Sequence, residues 1–168
     1  QFFQTRMTMG IHPHDFSFIL ESEQEFIAPE VVMSYSSCGF EKLSHNYHKI
    51  FRENLCRSNY INKRPPILVN NWEATYFDFT GEKLIEIAKQ AKELGIEMLV
   101  MDDGWFGKRD DDNSGLGDWF VNEEKLGCSL SEFVNQINKI GLKFGLWFEL
   151  EMVSEDSCLY REHPEWCL

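Results

Sequence analysis

The sequence predicts an α/β fold of repeated βα units, in either a (β/α)8 barrel or a doubly wound sheet. The apolar run Met98-Leu99-Val100-Met101 ends in Asp102-Asp103-Gly104, as a strand buried on both faces does when polar groups crown its downstream end. Amphipathic stretches at near-helical spacing lie before and after it. Residues 93–98 also match residues 139–144 in pattern: helix end, glycine, apolar residue, charge, strand. No G-x-G-x-x-G or phosphate loop is present, which weakens the nucleotide-binding version of the fold.

Taken in order, residues 1–40 read as β, with Phe16-Ser17-Phe18-Ile19-Leu20 and Val31-Val32-Met33 separated by turn signals. From Phe40 to Asn59 the pattern becomes helical, with Tyr47, Ile50, Phe51 and Leu55 on one face. Pro65-Pro66 then interrupts the chain, because proline lacks the N–H that either regular structure needs. The main boundary is expected there or just before the helix. Ile67-Leu68-Val69-Asn70-Asn71-Trp72 reads as a short strand. A helix over 80–94 lines up Leu84, Ile87, Ala88, Ala91 and Leu94, and Gly95 is placed to end it. After the aspartate strand comes a polar, glycine-rich loop, 108–117. Ser129 and Glu132 have capping-box spacing at the head of a helix carrying Phe133, Val134, Ile137 and Ile140. Gly141 ends that helix, and 142–148 form the third strand. Carrying the internal repeat forward sets Asp103 opposite Glu149, so that two successive strands end in carboxylates.

Only three such units fit in the 168 residues, whereas a closed barrel needs eight and about 250 residues. The chain opens in a strand-like region without a start methionine or a basic leader. It stops at Glu165-Trp166-Cys167-Leu168 with no polar tail. A piece of a larger protein is expected.

Composition narrows the function. The net charge is −12, from 28 acids against 16 bases; this disfavours nucleic acid, whose phosphates would be repelled, and anionic membrane surfaces as well. No run approaches the roughly 18 apolar residues of a membrane span. The five cysteines are odd in number and show no C-x-x-C spacing, so neither a disulfide framework nor a zinc site is indicated, and free thiols in a reducing cytoplasm are expected. The aromatic content is 14%, with five tryptophans. Carboxylates beside aromatic rings suit a sugar: acids accept hydroxyl protons and rings cover the apolar ring face.

Asp102 and Asp103 are the central candidates, and Trp105 follows them. Asp-Asp-Gly is also an ordinary turn sequence. Adjacent residues on an extended chain point opposite ways, so the pair is ill suited to serve as opposed catalytic carboxyls, which stand about 5–5.5 Å apart across the bond in a retaining glycosidase. Binding neighbouring hydroxyls of one sugar suits them better. The loop Asp110-Asp111-Asp112-Asn113-Ser114-Gly115 imitates a calcium loop, but its twelfth position is Val121 where a bidentate Glu is required. No metal and no cofactor are expected. His12, His14, His45 and His48 have no partners at ligand or triad spacing, and His163-Pro164-Glu165-Trp166 reads as a turn after a helix. Trp147 and Phe148 suit a core, or a strand end that touches ligand.

The motifs Asn70-Asn71-Trp72-Glu73, Asp102-Asp103-Gly104-Trp105-Phe106-Gly107-Lys108-Arg109, Leu116-Gly117-Asp118-Trp119 and Gly145-Leu146-Trp147-Phe148-Glu149 resemble bacterial α-galactosidases of glycoside hydrolase family 36. Pro29-Glu30-Val31-Val32-Met33 and Tyr47-His48 extend the likeness over nearly the whole chain. The resemblance implies the end of an N-terminal β-sandwich over 1–40, a linker helix over 41–64, and the first three βα units of a catalytic (β/α)8 TIM barrel over 65–168. It implies retaining hydrolysis of terminal α-galactose from sugars such as melibiose and raffinose, by a full-length enzyme for which homo-oligomerisation is one reading. Asp102, Asp103 and Trp72 map to galactose-binding positions. The family's nucleophile and acid/base belong to later strands, so no residue here is assigned a catalytic role. Related readings are an α-N-acetylgalactosaminidase, a galactosyltransferase, or a non-catalytic remnant. One departure is Leu150, where the family commonly has proline, which frees the backbone there.

Overall fold

The computed structural model describes residues 6–14 and 16–167, and the chain divides into two units, Gln1–Lys63 and Arg64–Leu168. In the first unit, α1 spans Gly39–Ile50 and runs on into a π-helical turn, Phe51–Leu55, closed by Cys56 N–H donating to the Phe51 carbonyl at 2.7 Å. The helix therefore stops short of Asn59. Neither α1 nor the turn has a fully buried side chain, and Phe51 and Leu55 of the expected apolar face are exposed.

The β reading of the first forty residues finds no ladder: no residue described before α1 is in a strand. Gln1 to Thr5 and Asp15 lie outside the described residues. The apolar pattern is real, but an extended segment becomes a strand only by hydrogen bonding to a neighbour, and none of the described segments supplies one. Their local order comes from side chains instead. The Phe18 and Phe26 rings pack at 4.6 Å, and the Tyr47 hydroxyl donates to the Val32 carbonyl at 3.3 Å.

In the second unit the elements are β1 (Leu68–Asn70), α2 (Trp72–Thr75), α3 (Gly81–Glu93), β2 (Met98–Met101), α4 (Glu123–Leu126), α5 (Leu130–Ile140), β3 (Lys143–Leu146), α6 (Cys158–Glu162) and a 3-10 turn at Pro164–Trp166. The strands form one parallel sheet in the order β1-β2-β3. The helices begin and end for local reasons. The Thr80 hydroxyl caps α3 by accepting from Lys83 N–H. Ser129 and Glu132 form a complete capping box on α5, and Gly141 closes that helix in the left-handed conformation.

The core lies between the sheet and these helices. Leu99 and Met101 of β2, Leu84 and Ala88 of α3, and Phe133 and Ile137 of α5 are fully buried in one cluster. Each large side chain withdrawn this way contributes about 1.5–3 kcal/mol. Leu94, expected on the α3 stripe, is 84% exposed; the helix has ended by that point and the residue no longer follows its period. The opposite face of the sheet carries Asn70, Val100 and Gly145 as register partners. A Cβ on Gly145 would come within 2.5 Å of the Met98 side chain and 3.1 Å of Val100, so glycine lets β3 lie flat beside β2 on that face.

Candidate functional site

The site is built at the downstream ends of β1 and β2. The backbone leaves β1 at Asn70 and turns at once into α2. Asn71 is fully buried; its amide donates to the Thr75 hydroxyl at 2.8 Å, and that hydroxyl donates to the Asn71 carbonyl at 3.1 Å. Its side-chain carbonyl accepts the Asp102 N–H at 2.9 Å. Asn70 works beside it. Its side-chain carbonyl accepts the Trp72 N–H at 2.7 Å, and its amide donates to the Asp102 carboxylate. One asparagine pair thus ties the Trp72 turn to the end of β2.

Asp102 is half-buried. Its carboxylate accepts from Asn70 on one oxygen and from Asp103 N–H, at 2.8 Å, on the other. Each oxygen retains acceptor capacity for a hydroxyl. Asp103 points elsewhere, as alternation on an extended chain requires. It is 5% exposed and pairs with Arg109, whose Nη2 lies 2.8 Å from Oδ2 and whose Nε lies 3.1 Å from both oxygens. Oδ1 also accepts Gly104 N–H at 2.7 Å. The two aspartates therefore differ: one faces partly outward, while the other is nearly filled by an internal ion pair. Gly104 makes the turn between them and the loop at φ +91, where a Cβ would press to 3.0 Å from the Phe77 ring.

Trp72 is half-buried and packs edge-on against Tyr76 at 5.2 Å and Phe77 at 5.0 Å. Trp105, by contrast, is core. It is 2% exposed, its indole N–H donates to the Trp147 carbonyl at 3.0 Å, and its ring meets Phe106 and Phe148 edge-on at 5.2 Å each. The indole that follows the aspartates cannot cover a sugar face; after the tight turn at Gly104 it packs against Trp147 and Phe148, just past β3. Trp147 is half-buried and Phe148 is 48% exposed at the end of β3.

The pairing register corrects the position of Glu149. Met98 pairs with Lys143 and Met101 with Leu146, which aligns Asp103 with Phe148 and leaves Glu149 one residue beyond. Matching the two glycines of the internal repeat misjudges the stagger, because parallel register is set by hydrogen bonds such as Trp147 N–H to the Met101 carbonyl at 3.0 Å. A one-residue slip reverses the face a side chain occupies.

The acidic loop is spent on local pairs. Asp110 meets Lys125 at 3.3 Å, and Asp111 accepts from Asn113 N–H at 2.8 Å. Among the described residues no group of three or more His, Cys, Asp or Glu side chains could hold a metal ion. Downstream, Leu116 exchanges backbone and hydroxyl hydrogen bonds with Ser154 at 2.9 and 3.1 Å, and Asp118 accepts the first N–H of α6 at 2.8 Å. The loops after β2 and β3 are laced together.

A family model described as Melibiase matches residues 25–168. The chain belongs to the melibiase family. Among relatives of this melibiase segment, the bifunctional alpha-galactosidase/sucrose kinase AgaSK of Mediterraneibacter gnavus is 54% identical over 168 residues, which is all of this chain and 18% of that protein. Alpha-galactosidase AgaA of Geobacillus stearothermophilus is also 54% identical, over all of this chain and 23% of its own length. The solved structure of that GH36 enzyme superposes with a TM-score of 0.86, covering 95% of this chain and 22% of the enzyme. Variants of it have been solved in complex with stachyose and with raffinose. The segment spans about a fifth of the length of these relatives.

Asn71 and Arg109 are the residues of this melibiase segment that sequence reasoning passed over. Arg109 lies six residues beyond Asp103, a spacing that signals nothing without the loop's shape. Asn71 is an unremarkable turn residue until its burial is seen.

Proposed function

We propose that this chain is part of a retaining α-galactosidase and forms the galactose-gripping corner of its active site. The observation that carries the reading is 54% identity to an α-galactosidase over the entire chain, with a half-buried carboxylate at a parallel strand's downstream end, where α/β barrels place their chemistry. β1 to β3 are read as the first strands of a (β/α)8 barrel, and residues before α1 as the end of a β-sandwich. A cytoplasmic location is part of the same reading.

In this assignment Asp102 accepts galactose hydroxyls through the capacity its neighbours leave. Trp72 offers an aromatic ring to cover the apolar ring face. Asp103 presents the narrow edge of a side chain that is 7% exposed. These residues orient the sugar. The nucleophile and acid/base come from other strands, attacking the anomeric carbon, protonating the leaving group and then activating water. Fixing galactose relative to those groups removes part of the entropic barrier.

The full-length protein is expected to hydrolyse p-nitrophenyl α-galactoside, and Asp102→Asn to lower kcat/KM by roughly 10–100-fold, the effect of losing a charge-assisted hydrogen bond. An N-acetylgalactosaminide cleaved faster than the galactoside, or a D102N enzyme with wild-type kinetics, would refute the assignment.

A further inference from the structure

We infer that Arg109 is a positioning residue for the proposed galactose subsite, fixing Asp103 and Trp72 in one arrangement although it lies on the loop behind them. The inference rests on the galactosidase reading. Arg109 is 4% exposed, and its guanidinium has four separate engagements. It grips Asp103 through Nε and Nη2, at 3.1 and 2.8 Å. Its Nη1 donates to the Ser114 carbonyl at 2.9 Å, pinning the loop. It lies 5.5 Å over the Phe77 ring, and it stands 3.9 Å from Asp112.

Phe77 carries the effect onward, since its ring meets Trp72 edge-on at 5.0 Å and perpendicular. It also closes over Gly104, where any Cβ would lie 3.0 Å away. The Arg109 guanidinium, 5.5 Å from its centroid, and the perpendicular Trp72 indole hold the ring in place. Asp103, Arg109, Phe77 and Trp72 form a continuous chain of contacts from the end of β2 to the end of β1.

A purely structural role would not require this arrangement. A buried ion pair adds little stability over apolar residues of the same volume, and the loop is already laced to the segment after β3. What the fork supplies is direction: a planar, two-point grip fixes a carboxylate's orientation as a lysine's point charge does not.

The test uses the full-length enzyme, with galactose as the probe. Arg109→Lys and Arg109→Met are expected to raise the galactose Kd, measured by calorimetry on folded protein, by about tenfold or more. kcat should fall less than kcat/KM. In an Asp103→Asn background, Arg109→Met should add less than about threefold, because the two residues act as a unit. Phe77→Leu leaves the ion pair intact and should raise Kd severalfold; it carries the test if the Arg109 variants fail to fold. A Kd within about twofold of wild type in folded R109K or R109M, or effects of R109M and D103N that multiply independently, overturns the inference alone. A wild-type enzyme that hydrolyses other α-glycosides but does not bind galactose overturns the sugar assignment and this inference with it.

Discussion

The backbone N–H of Asp102 donates to the side-chain carbonyl of Asn71, at 2.9 Å. Asn71 is fully buried and its amide is taken by Thr75. The position of the proposed sugar-binding carboxylate thus depends on a side chain from the neighbouring strand end. Asn71→Ala leaves both the Asp102 N–H and the Thr75 hydroxyl short of a partner. A loss of about 1–3 kcal/mol is expected, together with weaker galactose binding by folded enzyme. Denaturant unfolding and calorimetry check the two effects separately; an unchanged unfolding midpoint would contradict the first.

Gly104→Ala tests the turn that leads from the two aspartates into the loop. The residue has φ +91, and its Cβ would press on Phe77 and on the Arg109 carbonyl at 3.0 and 3.2 Å. The left-handed conformation alone costs an L-residue about 1–2 kcal/mol. A lowered Tm and reduced galactoside turnover are expected in the full-length protein; Gly127→Ala, also left-handed at φ +71 but with nothing within 4 Å of its Cβ, should lower Tm by the backbone cost alone and leave turnover unchanged.

The capping box on α5 predicts a pH effect. Glu132 is held below the ordinary carboxylate range, first by the Ser129 hydroxyl and then by the Ser129 N–H. Its native pKa is depressed, so the unfolded chain takes up the proton first as pH falls. The stabilisation is therefore complete above about pH 4.3, the ordinary glutamate value, and is lost as pH falls through the lower native value. Glu132→Gln, which still fits a capping box, should trail wild type in Tm at neutral pH and converge with it in acid. Parallel Tm curves down to the acid limit would rule this out.

Phe133 is fully buried between α5 and the sheet, and its ring packs edge-on against Phe144 at 5.7 Å. Phe133→Ala is expected to cost about 3–5 kcal/mol through lost burial and the cavity left behind. Thermal unfolding would show it, and a shift no larger than that of a surface substitution would mean the helix layer is packed otherwise.

The 168-residue chain alone is expected to give no turnover of an aryl α-galactoside, because no residue in it is assigned as nucleophile or acid/base. Nitrophenol release above background by the purified segment would show that the chemistry lies within it after all.

Much of this was legible in the chain by itself. The three strands, the helices at α3 and α5, the caps at Ser129 and Gly141, and the divergence of Asp102 from Asp103 all follow from interactions within four or five residues, where helical period, capping and strand alternation operate. The tertiary structure decided the rest. It set β3 one residue away from the internal-repeat alignment, withdrew Trp105 into the core, gave Asp103 to Arg109, and found no ladder among the described residues before α1. Those outcomes depend on hydrogen bonds across a whole βα unit and on the path of a loop, and a linear pattern of residue types specifies neither partner nor path.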